Sequence, residues 1–160
     1  MFSQLGKGLF LQSSAPAQAH ANEIIKGLWL GDAVAARDEA FMRRNGIQAV
    51  LNCTKDVPYL FDSENMRIAV DDNLQGAEIQ RMCQLLPHAA SFLYKNHVLE
   101  NKAVLVHCAA GVQRSATCVA YYLATYYKMP MAQAIQLIVQ QRPVAFMGGK
   151  AINFRACLGV

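Results

Sequence analysis

This 160-residue sequence predicts an α/β domain with a mostly parallel central sheet flanked by helices. Three observations predict it. Short apolar runs alternate along the chain with segments of helical periodicity. The run KAVLVH (102–107) is apolar without interruption, the pattern of a strand covered on both faces. A loop rich in small residues (108–114) then passes straight into another helical segment.

Taken in order, residues 1–22 are polar, rich in Ala, Gln and Ser, and form a separate N-terminal segment of unassigned structure, with a dimerisation arm among its readings. Residues 23–160 form the single compact domain. GLWLGD (27–32) reads as a strand ending in a Gly-Asp turn. Asp32 can cap a helix through AVAARDEAFMRRNG, closed by Gly46. IQAVLNCT (47–54) is a buried strand, the following stretch is a loop broken by Pro58, and MRIAVDD (66–72) alternates like a strand. A long amphipathic helix covers Ala77–His97, with Pro87 inside it. KAVLVH is the next strand, and SATCVAYYLATYYK the helix after the loop. Pro130 opens a helix over MAQAIQLIVQQR, and a last helix covers 150–158.

Composition narrows the function. Hydrophobic residues at 54% with 16% charged exclude a disordered tail protein. No run reaches the roughly 18–20 apolar residues of a membrane span. SAPAQAHA imitates a leader cleavage site, but the apolar run before it is too short. Five cysteines without a C-x-x-C pair make a poor disulfide framework and a poor zinc site, and no metal site is expected. Cys53, Cys83 and Cys118 read as small buried hydrophobes, and the compartment as a reducing one, cytoplasmic with the nucleus open. All eleven acidic residues lie at or before Glu100, while six cations follow it, so the last sixty residues carry +6 and should attract anions. Dense basic runs with interleaved aromatics are missing, which favours phosphate on a protein over a nucleic-acid surface.

The chemistry concentrates in A-V-L-V-H-C-A-A-G-V-Q-R-S (103–115). A buried strand ends at His107, a loop runs from Cys108 to Arg114, and a helix starts at Ser115. Beyond the carboxyl end of a strand, a helix N-terminus offers free N–H groups and a positive dipole. Ala109, Ala110 and Gly111 let the backbone curl into an anion nest, in which Val112 and Gln113 also present their amides. A Cys in that setting is favoured as thiolate, the nucleophilic form. Arg114 presents a planar fork for two phosphate oxygens, and Ser115 can donate to the Cys108 sulfur.

HCAAGVQRS resembles the His-Cys-x5-Arg-Ser/Thr signature of protein tyrosine phosphatases, in the dual-specificity branch. The resemblance extends over roughly residues 25–145, through GLWLGD, NGIQAVLNCT, RSATCVAYYL and QQRP. It implies a protein tyrosine phosphatase-like fold and a protein phosphatase acting through a cysteinyl-phosphate without cofactor. His107 then supports the loop by hydrogen bonding. The family's acid follows an Ile-x-aliphatic-x-Asp strand, which Ile68-Ala69-Val70-Asp71-Asp72 matches with Asp72 as the acid and Asp71 as its competitor. Phosphotyrosine and phosphoserine/phosphothreonine in proteins are the implied substrates; an RNA 5′-triphosphate and a non-catalytic phosphoprotein-binding role are the alternatives. Two departures stand out. VAFMGGKAINF replaces the usual Pro-Asn-x-Gly-Phe, with Phe154 in the place of the family Phe, and Gln113 replaces a Ser or Gly and points from the loop rim.

Overall fold

The computed structural model describes residues 19–73, 75–148 and 154–160. Five strands form one sheet in the order β1-β2-β5-β3-β4: β1 (Ala21–Ile25), β2 (Leu28–Gly31), β3 (Ile47–Asn52), β4 (Glu64–Arg67) and β5 (Ala103–His107). All neighbours pair in parallel except β1 and β2. That antiparallel hairpin turns at Gly27, whose φ of 82° suits glycine. The expected mostly parallel sheet is therefore present, with one antiparallel edge strand that the polar N-terminal composition concealed.

Side-chain alternation assigns the two faces. Leu28, Leu30, Ala49, Leu51, Val104 and Val106 pack beneath the long helices, and Trp29, Val50 and Leu105 face the other way. The first face is covered by α3 (Gly76–Leu93), α4 (Arg114–Tyr126) and α5 (Met131–Gln141) through Met82, Leu86, Val119, Tyr122 and Ile138. The second is covered by two short helices, α1 (Ala33–Ala36) and α2 (Glu39–Arg44), with Trp29 edge-on to Phe41 at 5.4 Å between centroids.

Several expectations are corrected. The single helix after Asp32 is split, because Asp38 accepts the Phe41 N–H and caps a second helix just as Asp32 accepts the Ala35 N–H and caps the first. The strand expected at 66–72 ends at Arg67. Ile68 still donates to Asn52 O, and then Val70 N–H turns back onto Ile68 O. Ile68 and Val70 are buried, so the alternation is real while the ladder is not. The long helix gives way after Leu93 to a wider π-turn, Tyr94–Leu99, anchored where His97 bonds Tyr122 Oη and Lys26 O. Of the helix expected at 150–158, Phe154–Leu158 form a 3₁₀ segment, and the residues before it lie outside those described.

The cysteines are also corrected. Cys53 and Cys118 are buried, with their sulfurs 3.7 Å apart, but Cys83 is exposed and joined to Cys157 in a disulfide. A separation of 74 residues hides that pair from any spacing rule. Residues 1–18, on which the dimerisation reading falls, lie outside the described residues. Among the described residues no helix is long and apolar enough to cross a membrane.

Candidate active site

The site lies where the central strand β5 ends. His107 closes the strand, and Arg114 opens α4 one residue earlier than expected. Between them each loop carbonyl is held by a donor outside the loop. Cys108 O accepts from His107 Nδ1 (3.2 Å), Ala109 O from Ala33 N (3.1 Å), Ala110 O from Arg142 Nη2 (3.2 Å) and Gly111 O from Arg142 Nε (2.8 Å). Val112 O accepts from Phe146 N (2.8 Å), and Gln113 O from Thr117 N (2.9 Å) and Oγ1 (2.7 Å). A trans peptide plane sets each N–H opposite the preceding C=O. With the carbonyls drawn outward, the amides of residues 109–114 turn inward and form a nest for an anion.

Gly111 makes the curl possible. Its φ is +66°, and a Cβ there would lie 2.6 Å from Gly31 O and 2.7 Å from Arg142 Nη2. Any side chain would force apart the loop, β2 and Arg142 together.

Cys108 is 2% exposed and sits on the floor of the nest. Its sulfur accepts from Gly111 N (3.2 Å) and shares a hydrogen bond with Ser115 Oγ (3.1 Å). The burial is therefore into a polar bowl, quite unlike the setting of Cys53, whose thiol is pushed up by desolvation and by the Cys118 sulfur beside it. Arg114 is 6% exposed; Nη1 donates to Val70 O (2.9 Å), and Nε has no partner among the described residues. A buried guanidinium with a free N–H at the mouth of an amide nest fits a tetrahedral oxyanion.

Asp72 Oδ2 lies 3.6 Å from Arg114 Nη2, and its side chain is 59% exposed. Asp71 Oδ1 instead accepts the Asn73 N–H (3.0 Å), closing a tight Asx turn. The two acid candidates are thus placed differently: Asp72 beside the guanidinium, Asp71 occupied with its own backbone. His107 spends its Nδ1 on the Cys108 carbonyl. Burial lowers its pKa to about 4, against the smaller opposing effect of the Cys108 carbonyl bond. Gln113 is half-buried on the loop, with its amide oxygen covered and without a partner among the described residues. Phe154 is fully buried.

Sequence reasoning passed over Arg142, which appeared only within QQRP. Its side chain is buried and binds Ala19 O (2.6 Å) and Asn22 Oδ1 (2.9 Å) besides the two loop carbonyls. Desolvation lowers its pKa, and the four acceptors around it offset that cost. The signal available was a lone Arg before Pro143 at a helix end, too little to specify its partners. Among the described residues no group of three or more His, Cys, Asp or Glu could hold a metal ion.

Comparison with known proteins agrees with this geometry. A family model described as "Dual specificity phosphatase, catalytic domain" matches residues 28–154. Dual specificity protein phosphatase 26 from Bos taurus is 30% identical over 138 residues, covering 84% of this chain and 65% of the relative, so the chain spans just under two thirds of that protein. Tyrosine-protein phosphatase vhp-1 from Caenorhabditis elegans is 32% identical over 124 residues, covering 75% of this chain and 18% of the relative. Among solved structures, human DUSP28 superposes with a TM-score of 0.73 at 25% identity, covering 88% of this chain and 91% of that one.

Proposed function

The chain belongs to the dual specificity phosphatase family, and from that premise we propose that it hydrolyses phosphotyrosine and phosphoserine or phosphothreonine in proteins through a cysteinyl-phosphate. The observation that carries the proposal is the outward capture of the loop carbonyls, which turns a ring of amides toward the Cys108 sulfur.

The cycle has two displacements. In the first, the phosphoryl oxygens sit in the amide ring and against the Arg114 fork, which stabilise charge on the equatorial oxygens in the transition state. Cys108 thiolate attacks phosphorus in line, the P–O bond to the substrate breaks, and Asp72 gives its proton to the leaving oxygen. In the second, Asp72 takes a proton from water, whose oxygen attacks phosphorus and expels the Cys108 sulfur. The Ser115 hydroxyl, 3.1 Å away, donates to that sulfur as charge returns to it. Every residue named lies on β5, the loop, the start of α4 or the turn after Val70, so the sheet itself sets the geometry.

The test is turnover. Cys108→Ser should lower hydrolysis of a phosphotyrosine peptide by about 1,000-fold or more, since the hydroxyl is a far weaker nucleophile at neutral pH. Turnover that survives the substitution would overturn the covalent mechanism. Running the wild-type enzyme on phosphotyrosine peptide, phosphothreonine peptide and an RNA 5′-triphosphate ranks the substrate classes, with the two peptides expected to lead.

A further inference from the structure

The turn that carries Asp72 has a partner outside the chemistry described so far. Glu78 stands in the first turn of α3, and Gln75 before it makes no side-chain cap. A Glu at this position commonly reaches back to its own helix end. Here the carboxylate crosses to the acid turn: Oε2 accepts the Asp71 N–H at 3.2 Å, and Oε1 pairs with Lys55 Nζ from the loop after β3. The Glu78 side chain is 13% exposed and that of Lys55 is 44% exposed. The Lys55 bond, and after it the Asp71 N–H, hold the Glu78 carboxyl below its ordinary range.

The turn is thus gripped on both sides of the Val70–Asp71 peptide, one residue before Asp72. Val70 O is held by Arg114 Nη1 at 2.9 Å, and the N–H of the same peptide, that of Asp71, by Glu78. The Asp71 carboxylate then fixes Asn73 N–H on the far side. An exposed carboxylate 3.6 Å from a guanidinium has little packing to keep it in place. Its position is therefore set chiefly by the backbone beneath it, and that backbone is tied to α3 by Glu78 and, at the helix cap, by Asn73 Oδ1, which accepts the Gln75 N–H at 3.0 Å.

We infer that Glu78 is a positioning residue for the general acid, holding the Asp71–Asp72 turn at the distance from which Asp72 protonates the leaving oxygen. This rests on the assignment of Asp72 as the acid. Lys55 orients the Glu78 carboxylate and links the loop after β3 to the same turn. Because the effect runs through proton donation, it depends on the ester hydrolysed. A phosphotyrosine leaving group has a conjugate acid of pKa about 10 and needs the proton, whereas p-nitrophenolate leaves readily without one.

The experiment compares kcat/KM, which reports only the displacement that expels the leaving group, on phosphotyrosine peptide and on p-nitrophenyl phosphate for the wild type and four variants. Glu78→Ala should lose about tenfold on the peptide and no more than about twofold on p-nitrophenyl phosphate, as expected when a donor is misplaced rather than removed. Glu78→Gln, which keeps an acceptor for Asp71 N–H, should recover most of the loss and flatten the pH profile less than Glu78→Ala. Asp72→Asn should lose about 100-fold on the peptide. Adding Glu78→Ala to Asp72→Asn should cost nothing further on either ester. Equal losses on the two esters, failure of Gln to rescue, or an additive double variant would show that Glu78 serves stability alone and would overturn the inference. If Asp72→Asn itself treats the two esters alike, the acid assignment fails first, and that result is recognisable without any Glu78 variant.

Discussion

His107 is neutral because of where the loop needs it. A carbonyl can only accept, so Nδ1 carries the hydrogen that it shares with Cys108 O. Protonating the ring would add charge in a site where burial already holds the pKa down at about 4, against about 6.5 in the unfolded chain. Between those values the unfolded chain binds a proton that the folded one refuses. The contribution to stability is therefore complete above pH 6.5 and drains away as pH falls toward 4. Moving from pH 7.5 to 4.5 should cost roughly 2 to 3 kcal/mol through this residue. Urea melts of the wild type and of His107→Asn, whose amide can still donate to the carbonyl, read the difference directly. The wild type should show the steeper loss; parallel pH dependences would mean that the ring is not held neutral by the fold.

The loop as an element is built from both ends of the chain, which decides how much of it could be read in advance. Its chemistry is local: Cys108, Gly111, Arg114 and Ser115 lie within eight consecutive residues, and a buried strand and a helix flank them. That much was legible, as were the sheet class, the Asp32 cap and the three long helices. What shapes the loop from outside was not, because Arg142 reaches Ala19 across 123 positions, and no periodicity encodes such a contact. The same holds for the end of β4. There Arg67 spends its guanidinium on Thr54 O and Val57 O, a choice invisible beside the regular alternation of Ile68 and Val70. Arg142→Met makes the point testable. It leaves Ala110 O and Gly111 O without their donors, at a cost of about 1–3 kcal/mol for each buried group. Stability should fall by roughly 2–5 kcal/mol. In the protein that stays folded at low temperature, inhibition by inorganic phosphate should weaken at least tenfold as the amide ring loosens. Unchanged phosphate affinity would assign Arg142 to β1 and to Ala19 before it alone.

On the scale of the whole molecule, the described residues after α5 touch both the loop and the helical face. Phe146 N–H reaches Val112 O at the loop, Phe154 is fully buried in the core, and Cys157 is bonded to Cys83 on α3. The sequence pointed away from that bond, since an odd number of cysteines with no close pair reads as free thiols. Yet three of the five remain free and buried, and the two that pair are brought to a Cα separation of 5.1 Å by the packing of Phe154 and Leu158. A crosslink spanning 74 positions restricts the unfolded chain more than it touches the folded one, and such bonds contribute about 2–4 kcal/mol. For a domain of this size that corresponds to a melting shift of roughly 5–15 °C. The wild type should therefore melt lower in reductant, at the temperature of a Cys83→Ser/Cys157→Ser variant, and the variant should melt alike with and without reductant. Cys108, Cys53 and Cys118 form no disulfide, so no other crosslink supplies the difference. Identical melting of the wild type in the two buffers would show that the C-terminal segment is held by its apolar contacts alone.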